Sequence, residues 1–358
     1  MKNTKGIDIG ETKIGINHPP FIIAEMSGNH NQSFDRAIQI VDAAAESGAN
    51  AIKLQTYTAD TITIDCRENE FFIGDKSSLW YGKSLYELYQ EAYTPWEWHK
   101  PIMDHCRKRG IICFSSPFDF TAVDFLEKLD VPAYKIASPE LVDIPLIKKV
   151  GKTGKPVIMS TGMATENEIM EAVEAVRSAG CKNLILLKCT TSYPASPEQS
   201  NLKTLPNLRK RFKVETGISD HTMGTAVATA AVALGATVIE KHFTLRRADG
   251  GPDSAFSMEP QELKTLVQDT KSAWLALGKV HYGPAGDEKK SLIGRRSLYV
   301  VKDMKKGEVF TPENLRSIRP SLGLPPKHYD KILGKKIAKN AKKGTALKWE
   351  LVQKVIVD

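Results

Sequence analysis

Between residues 21 and 278 the chain repeats one pattern eight times: a short apolar run, then a stretch with helical spacing. The runs are FIIAEM, AIKLQTY, IICFSSP, AYKIAS, PVIMSTG, LILLKCT, VETGIS and TVIEKHF. Continuous apolar runs of this length suit parallel strands covered on both faces. Eight such strand–helix units predict an α/β fold, the (β/α)8 TIM barrel. A doubly wound open sheet is the alternative, weakened by the lack of a GxGxxG turn after the first run. Local signals agree with the helices. In TPWEWHKPIMDHCRKRG, Thr94 is the expected cap, Pro95 falls in the first turn and Gly110 ends the helix.

Residues 214–244 carry the sharpest functional signal. VETGIS and TVIEKHF each lead to a histidine, His221 and His242, and an Ala-rich helix lies between them, with Thr222 or Thr225 as its expected cap. A crossover of this kind makes the strands parallel neighbours. Both imidazoles then emerge at the same end of the sheet, where they can bind a divalent metal. One core and one surface histidine is the plainer alternative.

Barrel enzymes keep their chemistry at the C-terminal strand ends, and here those ends are polar on almost every strand. They supply Glu25, then Asn29 and His30; Lys53 and Gln55; Ser115 and Ser116; Lys135, Ser138 and Glu140; Lys188, Thr190, Thr191 and Tyr193; and Ser219, Asp220, His221, Glu240 and His242. A buried ammonium is expensive without an anion beside it. Two or three lysines with several hydroxyls at one rim therefore predict a pocket for a phosphate or carboxylate. Glu25 and Glu240 are possible general bases. A Schiff-base aldolase using Lys135 or Lys53 is a rival, but it leaves the hydroxyls and histidines without a task. An inert barrel carrying a binding module is a second rival, against which the polar strand ends argue.

Around this core we expect an N-terminal hairpin cap (residues 1–20), the barrel (21–278), a charged Gly-containing linker (279–296) and a small, mostly β module (297–358). Residues 58–93 and 246–257 are insertions after strands two and eight, and so should lie on the active face. No apolar run is long enough for a membrane span, and the N-terminus lacks the apolar core of a signal peptide. Five cysteines with no CxxC pair fit free thiols in a reducing cytoplasm. The net charge of +8 belongs to the tail: from residue 279 onward 19 Lys and Arg face 8 Asp and Glu. Without aromatic interleaving or a known motif this predicts no nucleic-acid partner.

IAEMSGNHNQS, AIKLQTY, SSPF, AYKIASPE, STGMAT, GISDHTMG, IEKHFT and GGPDSAFS occur in this order along the chain. Together they resemble the sialic acid synthase family, over essentially the whole chain, including a C-terminal antifreeze-like (SAF) module. AEMSGNHNQ and GGPDSAFS are most similar to its pseudaminic acid branch; the N-acetylneuraminate and legionaminate branches are the alternatives. The resemblance implies condensation of phosphoenolpyruvate with an N-acylated amino sugar, here 2,4-diacetamido-2,4,6-trideoxy-L-altrose. It implies that His221 and His242 hold Mn2+, with Mg2+ or Co2+ as alternatives. It implies that Lys53, Ser116, Lys135, Ser138 and Ser219 grip phosphoenolpyruvate, with Thr191 where some members use an asparagine. Gln55, Glu140, Tyr193 and Asp253 would face the sugar, and Glu25 would handle protons. Arg319 would reach the partner subunit's site in a homodimer and contact the N-acyl group. Phe256 and Ala255 are the expected apolar contacts for the deoxy sugar.

Overall fold

The computed structural model describes residues 6–353. The first five residues of the expected hairpin segment and the last five of the expected C-terminal module lie outside them. The chain forms two compact units, Met1–Gly278 and Lys279–Asp358.

In the first unit, a hairpin of β1 (Ile7–Ile9) and β2 (Thr12–Ile14) precedes the barrel. The barrel strands are β3 (Phe21–Glu25), β4 (Ala51–Thr56), β5 (Ile112–Pro117), β6 (Tyr134–Ile136), β7 (Val157–Ser160), β8 (Leu184–Cys189), β9 (Glu215–Ser219) and β10 (Val238–His242). They close in sequence order, with β10 pairing β3 in parallel. The helices are α1 (Phe34–Glu46), α2 (Ala59–Ile62), α3 (Leu85–Ala92), α4 (Trp96–Arg109), α5 (Phe120–Lys128), α6 (Ile144–Lys152), α7 (Glu166–Ser178), α8 (Thr204–Phe212), α9 (Ala226–Ala233) and α10 (Pro260–Leu277). Of these, α2 and α3 belong to the insertion after β4.

The twofold alternation of a strand sorts the core. Ile22, Ile52, Leu54, Cys113, Met159, Leu186 and Ile239 point outward and pack under the helices. Phe21, Ile23, Ala51, Phe114, Ile158, Ile185, Leu187 and Val238 point into the barrel, where Ile7, Ile9 and Ile14 of the hairpin join them. The hairpin thus plugs the N-terminal end with apolar side chains. Further along each strand the inward positions turn polar. One inward position admits no side chain: a Cβ on Gly217 would lie 2.2 Å from the Val238 carbonyl oxygen.

Two expected caps are replaced by other partners. The α4 N-cap is Pro95, while Thr94 is buried and shares a hydrogen bond with His30 Nε2 at 3.2 Å. Thr225 is the N-cap of α9 without a side-chain cap bond; its hydroxyl donates to Asp269 at 2.8 Å instead. Thr222 donates its N–H and hydroxyl to Asp220. At Thr94 and Thr225 a tertiary partner outcompetes the helix end; at Thr222 the nearby Asp220 carboxylate does.

The second unit pairs β11 (Ser297–Val300) with β12 (Leu315–Ile318) in antiparallel register. Isolated bridges extend the pairing at Tyr299–Ala346, Met304–Ala341, Val309–Lys336 and Ile337–Val352. Leu298, Val300, Phe310, Leu315, Ile332, Ile337 and Leu347 form its own core. Two Lys-Lys-Gly turns, at 305–307 and 342–344, place Gly307 and Gly344 at positive φ near 90°.

Candidate active site

The inward polar positions converge at the C-terminal mouth of the barrel. There they line a cavity of about 440 Å³. Its polar pole comes from Lys53, Lys135, Ser138, Ser219, Glu240 and the two histidines. Its apolar pole comes from Ile62, Trp80, Leu88 and Tyr89 of the insertion after β4, with Tyr57 and Phe118 beneath. Trp80 reaches across the mouth, and its indole N–H donates to the Pro252 carbonyl at 2.8 Å.

Two lysines and two carboxylates form the floor, all at most 4% exposed. Lys53 Nζ lies 2.6 Å from Glu25 Oε2 and 3.8 Å from Glu240 Oε2. Lys135 Nζ lies 3.3 Å from Glu240 Oε1, which also accepts from Ser219 Oγ at 2.9 Å. Glu25 Oε1 accepts from Gln55 Nε2 and from the Ser27 N–H, each at 3.1 Å. The two acids titrate oppositely. Burial dominates at Glu25 and lifts its carboxyl to about 7. Burial also opposes charge on Glu240, but Lys135, Lys53 and the Ser219 hydroxyl outweigh it and hold this carboxyl well below the usual range. Burial depresses Lys135, whereas Glu240 and Glu25 outweigh burial at Lys53 and raise it. At one mouth the fold thus sets an ionised acid beside a carboxyl that exchanges its proton near neutrality.

His221 and His242 come from adjacent strands, with ring centroids 5.3 Å apart. Nδ1–H of His221 donates to the Thr190 carbonyl at 2.8 Å, so in the neutral ring Nε2 carries the lone pair. His242 is half-buried; its Nδ1 is shut off from solvent with no hydrogen-bond partner, and desolvation lowers its pKa well below the ordinary value. His221 shifts the other way: burial opposes its charge, but Cys189 and the Thr190 carbonyl outweigh burial and raise it. Two imidazoles on adjacent strands, one oriented by a backbone carbonyl, fit a divalent ion, which binds them as neutral rings. Among the described residues no group of three or more His, Cys, Asp or Glu side chains is gathered for a metal, so this pair would need water or substrate oxygens to complete a shell.

The structure brings most of the expected residues together. Lys53, Gln55, Lys135, Ser138, Glu140, Tyr193, Ser219, His221, His242 and Asp253 all line the cavity. Burial lifts Glu140 to about 7. Glu25 sits under Lys53 and is not part of the lining. Ser116 also stands behind, accepting from Lys53 Nζ at 3.3 Å. Thr191 lies over Gly162, where an added Cβ would be 2.3 Å from Thr191 Oγ1. Arg319 is exposed on the second unit, after β12.

Other expectations need correction. Lys188 faces away and donates to the Cys189 carbonyl at 2.7 Å. Ser115 also faces outward, hydrogen-bonding Thr56. Ala255 is exposed, and Phe256 is buried against Tyr193 and His242, with ring centroids 4.9 Å from each. The apolar wall comes from the insertion instead. Ser27, Ser160, Cys189, Trp80 and Tyr89 line the cavity and were not anticipated. The alternation through Ile158 and through Ile185 and Leu187 points at Ser160 and Cys189; nothing local marks Trp80.

Residues 40–282 match the NeuB family and residues 295–353 the SAF domain. A pseudaminic acid synthase of Campylobacter jejuni is 45% identical over 328 residues, covering 92% of this chain and 95% of the relative. A pseudaminic acid synthase of Helicobacter pylori is 44% identical over 331 residues, covering 92% and 96%. The solved N-acetylneuraminic acid synthetase of Leptospira borgpetersenii, in complex with citrate, superposes with a TM-score of 0.72 at 32% identity, covering 82% of this chain and 97% of that one. On its sequence and its barrel alike, the chain belongs to the NeuB family.

Proposed function

We propose that the chain is a pseudaminic acid synthase. It joins phosphoenolpyruvate, 2,4-diacetamido-2,4,6-trideoxy-L-altrose and water into pseudaminic acid and releases phosphate. The observation that carries this reading is the buried Lys53–Glu25 and Lys135–Glu240 floor beside two histidines on adjacent strands. The near-full-length similarity to pseudaminic acid synthases supports the choice of sugar.

Lys53, Lys135, Ser138 and Ser219 bind the phosphate and carboxylate of phosphoenolpyruvate. This anion enters a floor whose two lysines already face two carboxylates, so binding is easier when Glu25 carries a proton. A carboxyl titrating near 7 takes one up readily. C3 of phosphoenolpyruvate adds to the aldehyde carbon of the open-chain sugar, and positive charge develops at C2. Glu240 stays ionised and lines the cavity, so it supplies the opposing charge. Protonated Glu25, through Lys53 at 2.6 Å, gives its proton to the aldehyde oxygen, which becomes a hydroxyl, and takes one back by the same route from the water that adds at C2. The C–O bond to phosphate then breaks, the C2 hydroxyl becomes the keto oxygen, and its proton leaves with the phosphate, which the lysines hold. A divalent ion held by His221 and His242, Mn2+ in our reading, supplies Lewis-acid polarisation of the sugar aldehyde when bound.

Gln55, Glu140, Tyr193 and Asp253 face the sugar, and the wall of Ile62, Leu88, Tyr89 and Trp80 takes its methyl groups. Arg319 of a second copy completes the site in a homodimer. The five free cysteines, four of them buried, support a reducing, cytoplasmic setting. No helix of the described residues is long and apolar enough to cross a membrane.

The test is phosphate release from phosphoenolpyruvate with the altrose derivative, its D-manno counterpart or N-acetylmannosamine, each with Mn2+ and with EDTA. Metal-dependent release with the altrose derivative is expected. Equal or faster release with N-acetylmannosamine overturns the sugar assignment. Borohydride trapping at Lys135 or Lys53 overturns the mechanism.

A further inference from the structure

Ser27 has φ of +50°, a left-handed conformation that residues with a Cβ rarely adopt. Its surroundings hold it there. The Met26 N–H donates to the Lys53 carbonyl at 3.0 Å. Asn29 Nδ2 donates to the Phe243 carbonyl and to Ser257 Oγ, each at 2.9 Å. Gly28 packs so closely on α3 that an added Cβ would lie 3.1 Å from Ala92 Cα. In this conformation Ser27 joins two acids. Its N–H donates to Glu25 Oε1 at 3.1 Å, and its hydroxyl donates to Asp253 Oδ2. The Gly28 N–H hydrogen-bonds Asp253 as well.

A glycine at this position would adopt the same φ without strain and would still offer its N–H to Glu25. The contact it could not make is the hydroxyl on Asp253. Strain kept for one side-chain contact, at a residue lining the cavity, is a mark of function. We propose that Ser27 is a positioning residue that sets sugar selectivity. Its hydroxyl fixes the Asp253 carboxylate so that the remaining lone pairs accept from a hydroxyl of the polyhydroxy substrate at one place. A site that demands such a hydrogen bond discriminates far better than an apolar wall alone. This rests on the reading above that the cavity takes an N-acylated amino sugar.

The experiment compares wild type, S27G, S27A and D253N by steady-state kinetics and thermal unfolding. S27G is expected to unfold at or above the wild-type temperature, because strain is relieved. Its KM for the sugar rises about tenfold or more, and its KM for phosphoenolpyruvate stays within about twofold. S27A shows the same KM pattern without the gain in unfolding temperature. In a D253N background, S27G adds little further effect, because both changes act through one contact. An unchanged sugar KM in S27G, an equal rise in both KM values, or full additivity with D253N overturns the proposal. If wild type prefers another N-acylated sugar, the sugar assignment fails. The same comparison on that sugar still decides the role of Ser27.

Discussion

Lys241 Nζ lies 3.0 Å from Asp220 Oδ2, and both side chains are nearly inaccessible to solvent. These two residues immediately precede His242 and His221 in the chain. Lys241 also donates to the Thr222 carbonyl, and the Asp220 N–H donates to the Glu240 carbonyl at 2.9 Å. The pair therefore ties together the two backbones that present the imidazoles. Removing one partner leaves a buried, uncompensated charge, at a cost of about 3–5 kcal/mol. We predict that K241M and D220N each lower the urea midpoint strongly, and that K241M/D220N is less destabilised than their sum. A fully additive double mutant, measured by equilibrium unfolding, would refute this coupling. Metal affinity, read by calorimetry with Mn2+, should fall about 10–100-fold in D220N, as for other groups that orient ligands.

Glu25 lies under Lys53, so its role is tested through the lysine as much as through the acid. In E25Q the amide oxygen still accepts from the Ser27 N–H, but the counter-charge 2.6 Å from Lys53 is lost. Lys53 is then freer to meet the substrate anion. We expect phosphoenolpyruvate Kd within a few-fold of wild type and kcat lower by about two orders of magnitude or more. The pH dependence near 7 that Glu25 gives the wild type should also vanish. Near-normal kcat would remove Glu25 from the reaction.

The barrel was legible because its inward and outward alternation is written into short, continuous strands. The plug was legible because Ile7, Ile9 and Ile14 alternate ahead of the first strand. Strand-end polarity found Lys53, Lys135, Ser219, His221 and His242. Applying the same parity to each strand would have excluded Lys188 and Ser115 and added Ser160 and Cys189. The apolar wall was not legible, because Trp80, Leu88 and Ile62 sit in an insertion whose path depends on tertiary contacts such as Trp80 with Pro252. Thr94 was misassigned for a similar reason: its hydroxyl has a buried tertiary partner in His30.

Buried groups of opposite sign should oppose one another in the stability profile between pH 5 and 7. Burial lowers His30 and His99 to about 4. Burial keeps His99 neutral even though the Pro95 carbonyl at Nδ1 favours the charged ring; Nε2 meets the Thr56 hydroxyl. A depressed histidine keeps its full stability above the unfolded value near 6.5 and loses it as pH falls toward 4. At pH 5 each loses about 2 kcal/mol. Glu25 and Glu140, raised to about 7, behave oppositely. Their stability is full below the unfolded value of 4.5 and is lost as pH rises through 7. Moving from pH 7 to pH 5, each therefore regains about 2 kcal/mol. These four shifts nearly cancel one another, and the depressed His242 adds a further loss that wild type and variant share. E140Q removes one opposing member, so it should lose about 2 kcal/mol more than wild type over this step. Urea unfolding at both pH values checks this; parallel profiles would show that Glu140 does not titrate in this window.

Arg319 gives the sharpest test of a shared site. It is exposed on the second unit, while every residue lining the cavity belongs to the first. If a partner's Arg319 completes each cavity, R319A should raise the sugar KM and leave phosphoenolpyruvate Kd nearly unchanged. A bidentate guanidinium contact to an amide oxygen is a charge-assisted hydrogen bond, and its loss corresponds to roughly a 10–100-fold effect. R319A and E25Q homodimers are then each impaired, for different reasons. In a mixed dimer, the intact barrel of the R319A chain faces the intact Arg319 of the E25Q chain. One of the two cavities is therefore whole. Subunit exchange between the two variants should restore activity, up to about a quarter of wild type for random pairing of equal amounts, because half of the dimers are mixed and each holds one good site. If Arg319 served its own barrel, the mixed dimer would contain no complete site. Mixing would then give no more than the average of the two variants, and the homodimer with shared sites would be excluded.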